Sequence, residues 1–83
     1  MSKKKYVQIK NFFVREISLA KQNNFCAVLL PLETEYDPYY LDTNLEIEEI
    51  YEIGNDLGWD RFYLINFKTK IEQLIDLYTL EVA

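Results

Sequence analysis

Carboxylates are the most abundant reactive groups in this chain of 83 residues, and they are unevenly placed. Ten of the fourteen fall between positions 33 and 60, a stretch without one basic side chain: Glu33, Glu35, Asp37, Asp42, Glu46, Glu48, Glu49, Glu52, Asp56 and Asp60. If the segment is helical, the spacings 48/52/56 and 49/52/56 put carboxylates on neighbouring turns, with Cβ atoms about 5–6 Å apart. That separation is on the order of the phosphate spacing along a nucleic-acid strand. A ridge of this kind can imitate a row of phosphates. Its like charges repel by a few tenths of a kcal/mol per pair, a penalty that one or two lysines would have removed. The plainer reading is a solvated helix face, which is what most charge runs are.

Other chemistries find little support. Two carboxylates can act as general acid and base, but any two of fourteen could be nominated. The chain has no histidine and one cysteine, which excludes Cys/His zinc sites and Ser-His or Cys-His nucleophile pairs. Cys26, between Phe25 and Ala27-Val28, reads as a small buried side chain. Neither Gly54 nor Gly58 begins a phosphate-binding loop, and Asp56-Leu57-Gly58-Trp59-Asp60 lacks the ligand pattern of a calcium loop. The expectation is a protein that is not an enzyme and needs no metal or cofactor.

A second set of binding candidates is aromatic. Tyr36, Tyr39 and Tyr40 flank Pro38 in an acidic loop, and Trp59 follows Gly58. Aromatic side chains at polar loops are enriched in protein interfaces; the alternative is that these rings lid the core. Lys3, Lys4 and Lys5 form a basic start, more often a solubilising tail than a nucleic-acid contact. The net charge of −5 argues against direct binding of nucleic acid, which depends on clustered positive charge. With no apolar run of membrane-spanning or signal-peptide length and no pairable cysteines, the chain reads as cytoplasmic.

These residues need elements to position them. Apolar types make up 49% of the chain, enough for a core, and the length allows one domain over 1–83. A core this small is often helped by self-association, so a homodimer is an open expectation. Tyr6 to Lys10 alternates and reads as a strand. Residues 25–32 form an apolar run that reads as a buried central strand ended by Pro31, and Arg61 to Phe67 reads as a third strand. Residues 11–22 fit either a helix or a strand. Thr43-x-x-Glu46 and Thr69-x-x-Glu72 match capping boxes. They predict helices over about 44–57, with Ile47, Ile50, Tyr51 and Leu57 inward, and over about 70–80, with Ile71, Leu74, Ile75 and Tyr78 inward. The expected fold is α+β: a small antiparallel sheet of three or four strands packed against two helices.

In its order of elements the chain resembles one domain of the ArdA antirestriction proteins, acidic DNA mimics from mobile elements. The resemblance covers the strand with Ile9-Lys10-Asn11, the strand reaching Leu30-Pro31-Leu32, the acidic helix at 45–57, and Arg61-Phe62-Tyr63-Leu64-Ile65-Asn66-Phe67 in place of the family's aromatic, acid-flanked strand. Here Asn66, Phe67 and Lys68 stand where the family has an acidic pair, and ArdA proteins are longer. The resemblance implies a DNA-mimic inhibitor in which Glu46, Glu48, Glu49, Glu52, Asp56 and Asp60 stand in for phosphates. Its partner would be a basic nucleic-acid-binding protein of the restriction or CRISPR-effector class. The alternative is an adaptor that binds a partner, or itself, through an apolar patch including Tyr39, Tyr40 and Trp59.

Overall fold

Alternation along a strand sends successive side chains to opposite faces, so an unbroken apolar run needs cover on both. The computed structural model describes residues 8–33 and 35–78 and supplies that cover. Strands β1 (Ala27–Pro31), β2 (Tyr39–Leu41), β3 (Arg61–Asn66) and β4 (Glu72–Asp76) form one antiparallel sheet in the order β2-β1-β3-β4. The central pair runs in register from Ala27 opposite Asn66 to Pro31 opposite Phe62. Helix α1 (Val14–Gln22) lies on one face and α2 (Ile47–Leu57) on the other.

The core therefore has two layers. Ala27, Leu29, Leu41, Phe62, Leu64 and Ile75 pack with Ile50 beneath α2. Val28, Leu30, Tyr63 and Ile65 pack with Ile9 and Phe13, and Ile17 of α1 leans on them. Each fully buried Leu, Ile or Phe contributes about 1.5–3 kcal/mol of transfer free energy. Pro31 ends β1, and its missing N–H faces no demand there.

Both helices close with left-handed residues. Asn24 (φ 65°) follows α1, with the Phe25 N–H donating to the Ala20 carbonyl. Gly58 (φ 78°) follows α2, with the Trp59 N–H donating to the Gly54 carbonyl at 2.9 Å. Six-to-one bonds of this kind satisfy end carbonyls that the helix leaves open.

The α+β class and the four-stranded antiparallel sheet agree with expectation, as do the strands at 27–31 and 61–66 and the stop at Gly58. Residues 11–22 resolve as helical, with a turn at Phe13 before α1. Three expectations about the elements are corrected. The strand at Tyr6–Lys10 is not seen: residues 8–12 are helical, because Ile9 and Phe13, one turn apart, both enter the core beneath α1, while Tyr6 and Val7 lie outside the described residues. The helix at 70–80 is instead strand β4 as far as Asp76, with 79 and 80 outside the described residues. Here Asn66 wins over the apparent capping box: its Oδ1 accepts the N–H groups of Lys68 and Thr69, both at 2.9 Å, folding a turn that Lys70 completes at φ 65°. That turn sends residues 72–76 back along β3. Finally, α2 starts at Ile47 with Glu46, not Thr43, as its N-cap.

Candidate functional site

The acidic segment is carried by α2, and its local sequence explains why it is a rigid carrier. The Glu46 N–H donates to Glu49 Oε1 at 3.0 Å, and the N–H groups of Glu49 and Ile50 turn onto the Glu46 carbonyl. Ile50 and Gly54 are buried, with Ile47, Tyr51 and Ile53 half-buried beside them. Leu57, expected inward, is 38% exposed. Gly54 sets the depth of packing: a Cβ there would lie 2.2 Å from Cε1 of the Phe62 ring, so only glycine lets the helix sit this close to β3.

The outer face of α2 is acidic without relief. Glu48, Glu49, Glu52 and Asp56 are all exposed, and none forms an ion pair with a described residue. Glu48 and Glu49, in the first turn, favour the helix dipole; Asp56, near the C-terminal end where there is no base, opposes it. From Glu48 to Asp56 the axis rises about 12 Å at 1.5 Å per residue. One strand of B-DNA carries a charge every 3.4 Å or so, which gives about 3.5 charges over that length. Four carboxylates on α2 therefore match the linear charge density of a single strand. Glu46, the N-cap, precedes this series and Asp60 follows it beyond the Gly58 turn, both exposed. Asp60 also accepts the Tyr78 hydroxyl at 2.9 Å, a bond that raises the phenol's pKa.

The aromatic candidates are not brought together. Trp59 is half-buried against Phe62, ring centroids 6.2 Å apart, in the layer beneath α2. Tyr40 packs in the opposite layer with its ring 5.3 Å from that of Phe25; burial, and then Glu16 and Asp37, raise its pKa. Tyr39, 40% exposed, sits on edge strand β2. Cys26, expected to be buried, is half-buried with its thiol 3.6 Å from the Asp42 carbonyl.

A feature that the sequence conceals lies across the sheet. Lys10, Lys21, Lys68 and Lys70 line a groove of about 410 Å³ between α1 and the β3–β4 turn, together with Phe25, Phe67 and Glu72. Glu72 Oε1 accepts both the Lys10 ammonium at 2.8 Å and the Tyr63 hydroxyl at 3.0 Å. The Lys10 hydrogen bond is the main cause that holds the Glu72 carboxyl below its ordinary pKa; partial burial works against it. Lys21 reaches over the Phe67 ring, 5.8 Å from its centroid. Lys21, Lys68 and Lys70 have no ion-pair partner among the described residues. Counting charge by segment hides this groove, because two of its lysines come from the first third of the chain and two from the last.

The described residues contain no group of three or more His, Cys, Asp or Glu side chains placed to hold a metal ion, and no helix among them is long and apolar enough to cross a membrane. Comparison of the chain with protein-family models, curated proteins and solved structures finds no match.

Proposed function

We propose that the protein is a small acidic binding protein that presents the outer face of α2 to a basic, nucleic-acid-binding site on another protein and occupies it as a DNA mimic. The observation that carries this reading is the row of exposed carboxylates at Glu48, Glu49, Glu52 and Asp56 on one helix, none with an ion-pair partner among the described residues. Its charge density matches that of a nucleic-acid strand. Two further features support it. The row keeps an acid at the helix end where the dipole disfavours one, and the close Gly54–Phe62 approach fixes the backbone that carries the row. Glu46, Asp60 and the nearby Trp59 complete the proposed contact surface. The target class is a nucleic-acid-handling enzyme of the restriction or CRISPR-effector type, blocked by electrostatic competition.

The test is capture of host proteins on the immobilised chain at about 0.05 M and about 0.5 M NaCl, between which the Debye length shortens severalfold. Bound proteins are identified by mass spectrometry, with Glu48→Lys/Glu52→Lys as control. Mimicry requires a nucleic-acid-binding protein that is held at low salt, released at high salt and not held by the double variant. A partner retained equally by wild type and variant would instead favour the adaptor reading.

A further inference from the structure

We infer that the lysine groove is a docking site for the acidic face of α2 of a second copy of this chain, so that the protein self-associates head to tail. The contact shares the acidic face of α2 with the target contact proposed above and so competes with it, but it is tested on the purified chain alone, so either can fail without the other.

Charge complementarity carries the inference. The groove offers Lys21, Lys68 and Lys70 without ion-pair partners among the described residues, and α2 offers Glu48, Glu49, Glu52 and Asp56 in the same condition. Within one molecule the two surfaces cannot neutralise each other. The groove is built on α1 and the layer of Ile65 and Phe67, α2 covers the layer of Leu29 and Phe62, and the sheet stands between them. Between molecules nothing separates them. Phe25 and Phe67, half-buried in the groove, give a docked helix apolar contact between its charges. The copies as a whole repel, each at −5. The Debye length at physiological salt, about 8 Å, is short against a molecule measuring 37 × 28 × 22 Å, so contacts across the interface outweigh that repulsion. A groove on one copy and a helix on the next make a heterologous contact, which adds copies in sequence unless the ring closes.

The experiment is sedimentation or light scattering on the wild-type chain and two neutralised variants: Lys21→Gln/Lys68→Gln/Lys70→Gln in the groove, and Glu48→Gln/Glu49→Gln/Glu52→Gln on α2. Wild type should gain mass with concentration at about 0.05 M salt and return to one chain at about 0.5 M. Each variant alone should stay at the mass of one chain, 10.0 kDa. Mixed in equal amounts they should give twice that and no more, because only one complementary pair of surfaces survives. A wild type that is monomeric at low salt overturns the inference. So do variants that associate by themselves as strongly as wild type, or an equimolar mixture that stays monomeric while both retain native circular dichroism.

Discussion

Gly54→Ala tests how α2 is held. In an exposed helix this change would stabilise by about 0.8–1 kcal/mol through backbone propensity. Here the added methyl would meet Phe62 at 2.2 Å from Cε1 and 2.7 Å from Cζ, where carbon atoms normally stop at about 3.5 Å. Ring or helix must yield by more than 1 Å. Phe62 is wholly buried and paired with Pro31 and Ile75 in the middle of the sheet, so the ring has nowhere to swing. The helix must lift, loosening Ile50 as it goes. Overpacking of this kind costs about 1–3 kcal/mol, and a rigid neighbour puts it at the upper end. Less the propensity gain, the net loss is about 2 kcal/mol, or roughly 8–16 °C in melting temperature for a domain of this size. Thermal and urea melts followed by circular dichroism read it directly. A variant that melts at or above wild type refutes the packing account. So does a Gly54→Ala/Phe62→Leu double variant whose loss equals the sum of the single losses, since the smaller side chain should relieve the clash.

Three further outcomes follow from the same contacts. Asn66→Ala strips the acceptor from the Lys68 and Thr69 N–H groups and the donor from Asn44 Oδ1; it should cost about 1–3 kcal/mol in urea melts, with early loss of amide protection at 67–71 in hydrogen exchange. Glu72→Gln should cost less than about 1 kcal/mol at neutral pH, because the Lys10–Glu72 pair is 39% exposed on each side. The Glu72 carboxyl is held below its ordinary value, so its contribution is complete above about pH 4.3 and disappears as pH falls through the lower folded value; stability curves of wild type and variant should converge in acid, not in base. Glu52→Lys should stabilise the fold by a few tenths of a kcal/mol, by removing repulsion at 48/52 and 52/56, while weakening capture of the target. A variant that gains stability and keeps full binding would separate α2 from function.

The parts of this fold that are legible in sequence are those whose signal is local. β1 and β3 declare themselves because both sheet faces are covered, which demands consecutive apolar residues such as Val28-Leu29-Leu30 and Phe62-Tyr63-Leu64-Ile65. The end of α2 is legible because its left-handed cap needs a residue such as Gly58. β4 is not. As an edge strand it buries only Ile75 fully, and the spacing of Ile71, Leu74, Ile75 and Tyr78 suits a helix equally well. The deciding event, Asn66 folding the following turn, is an asparagine turn signal outweighed by Thr69-x-x-Glu72. Residues 8–10 mislead because five alternating residues cannot be told from one helical turn when Ile9 and Phe13 share a face. Glu46 caps α2 although Thr43 is the better capping type. As for the candidate site, the ridge on α2 follows directly from helical spacing. The opposing groove does not, since only the fold carries Lys10 and Lys21 to Lys68 and Lys70.

Mimicry makes one demand that simple acidic adhesion does not: the target must be unable to hold the chain and DNA together. The direct measurement is competition at equilibrium, with fluorescence anisotropy of a labelled duplex bound to the captured target while the chain is titrated in. Mimicry predicts full displacement of the duplex, an apparent affinity for the chain that weakens in proportion to added DNA, and no displacement by Glu48→Lys/Glu52→Lys. A ternary complex of target, duplex and chain would contradict it.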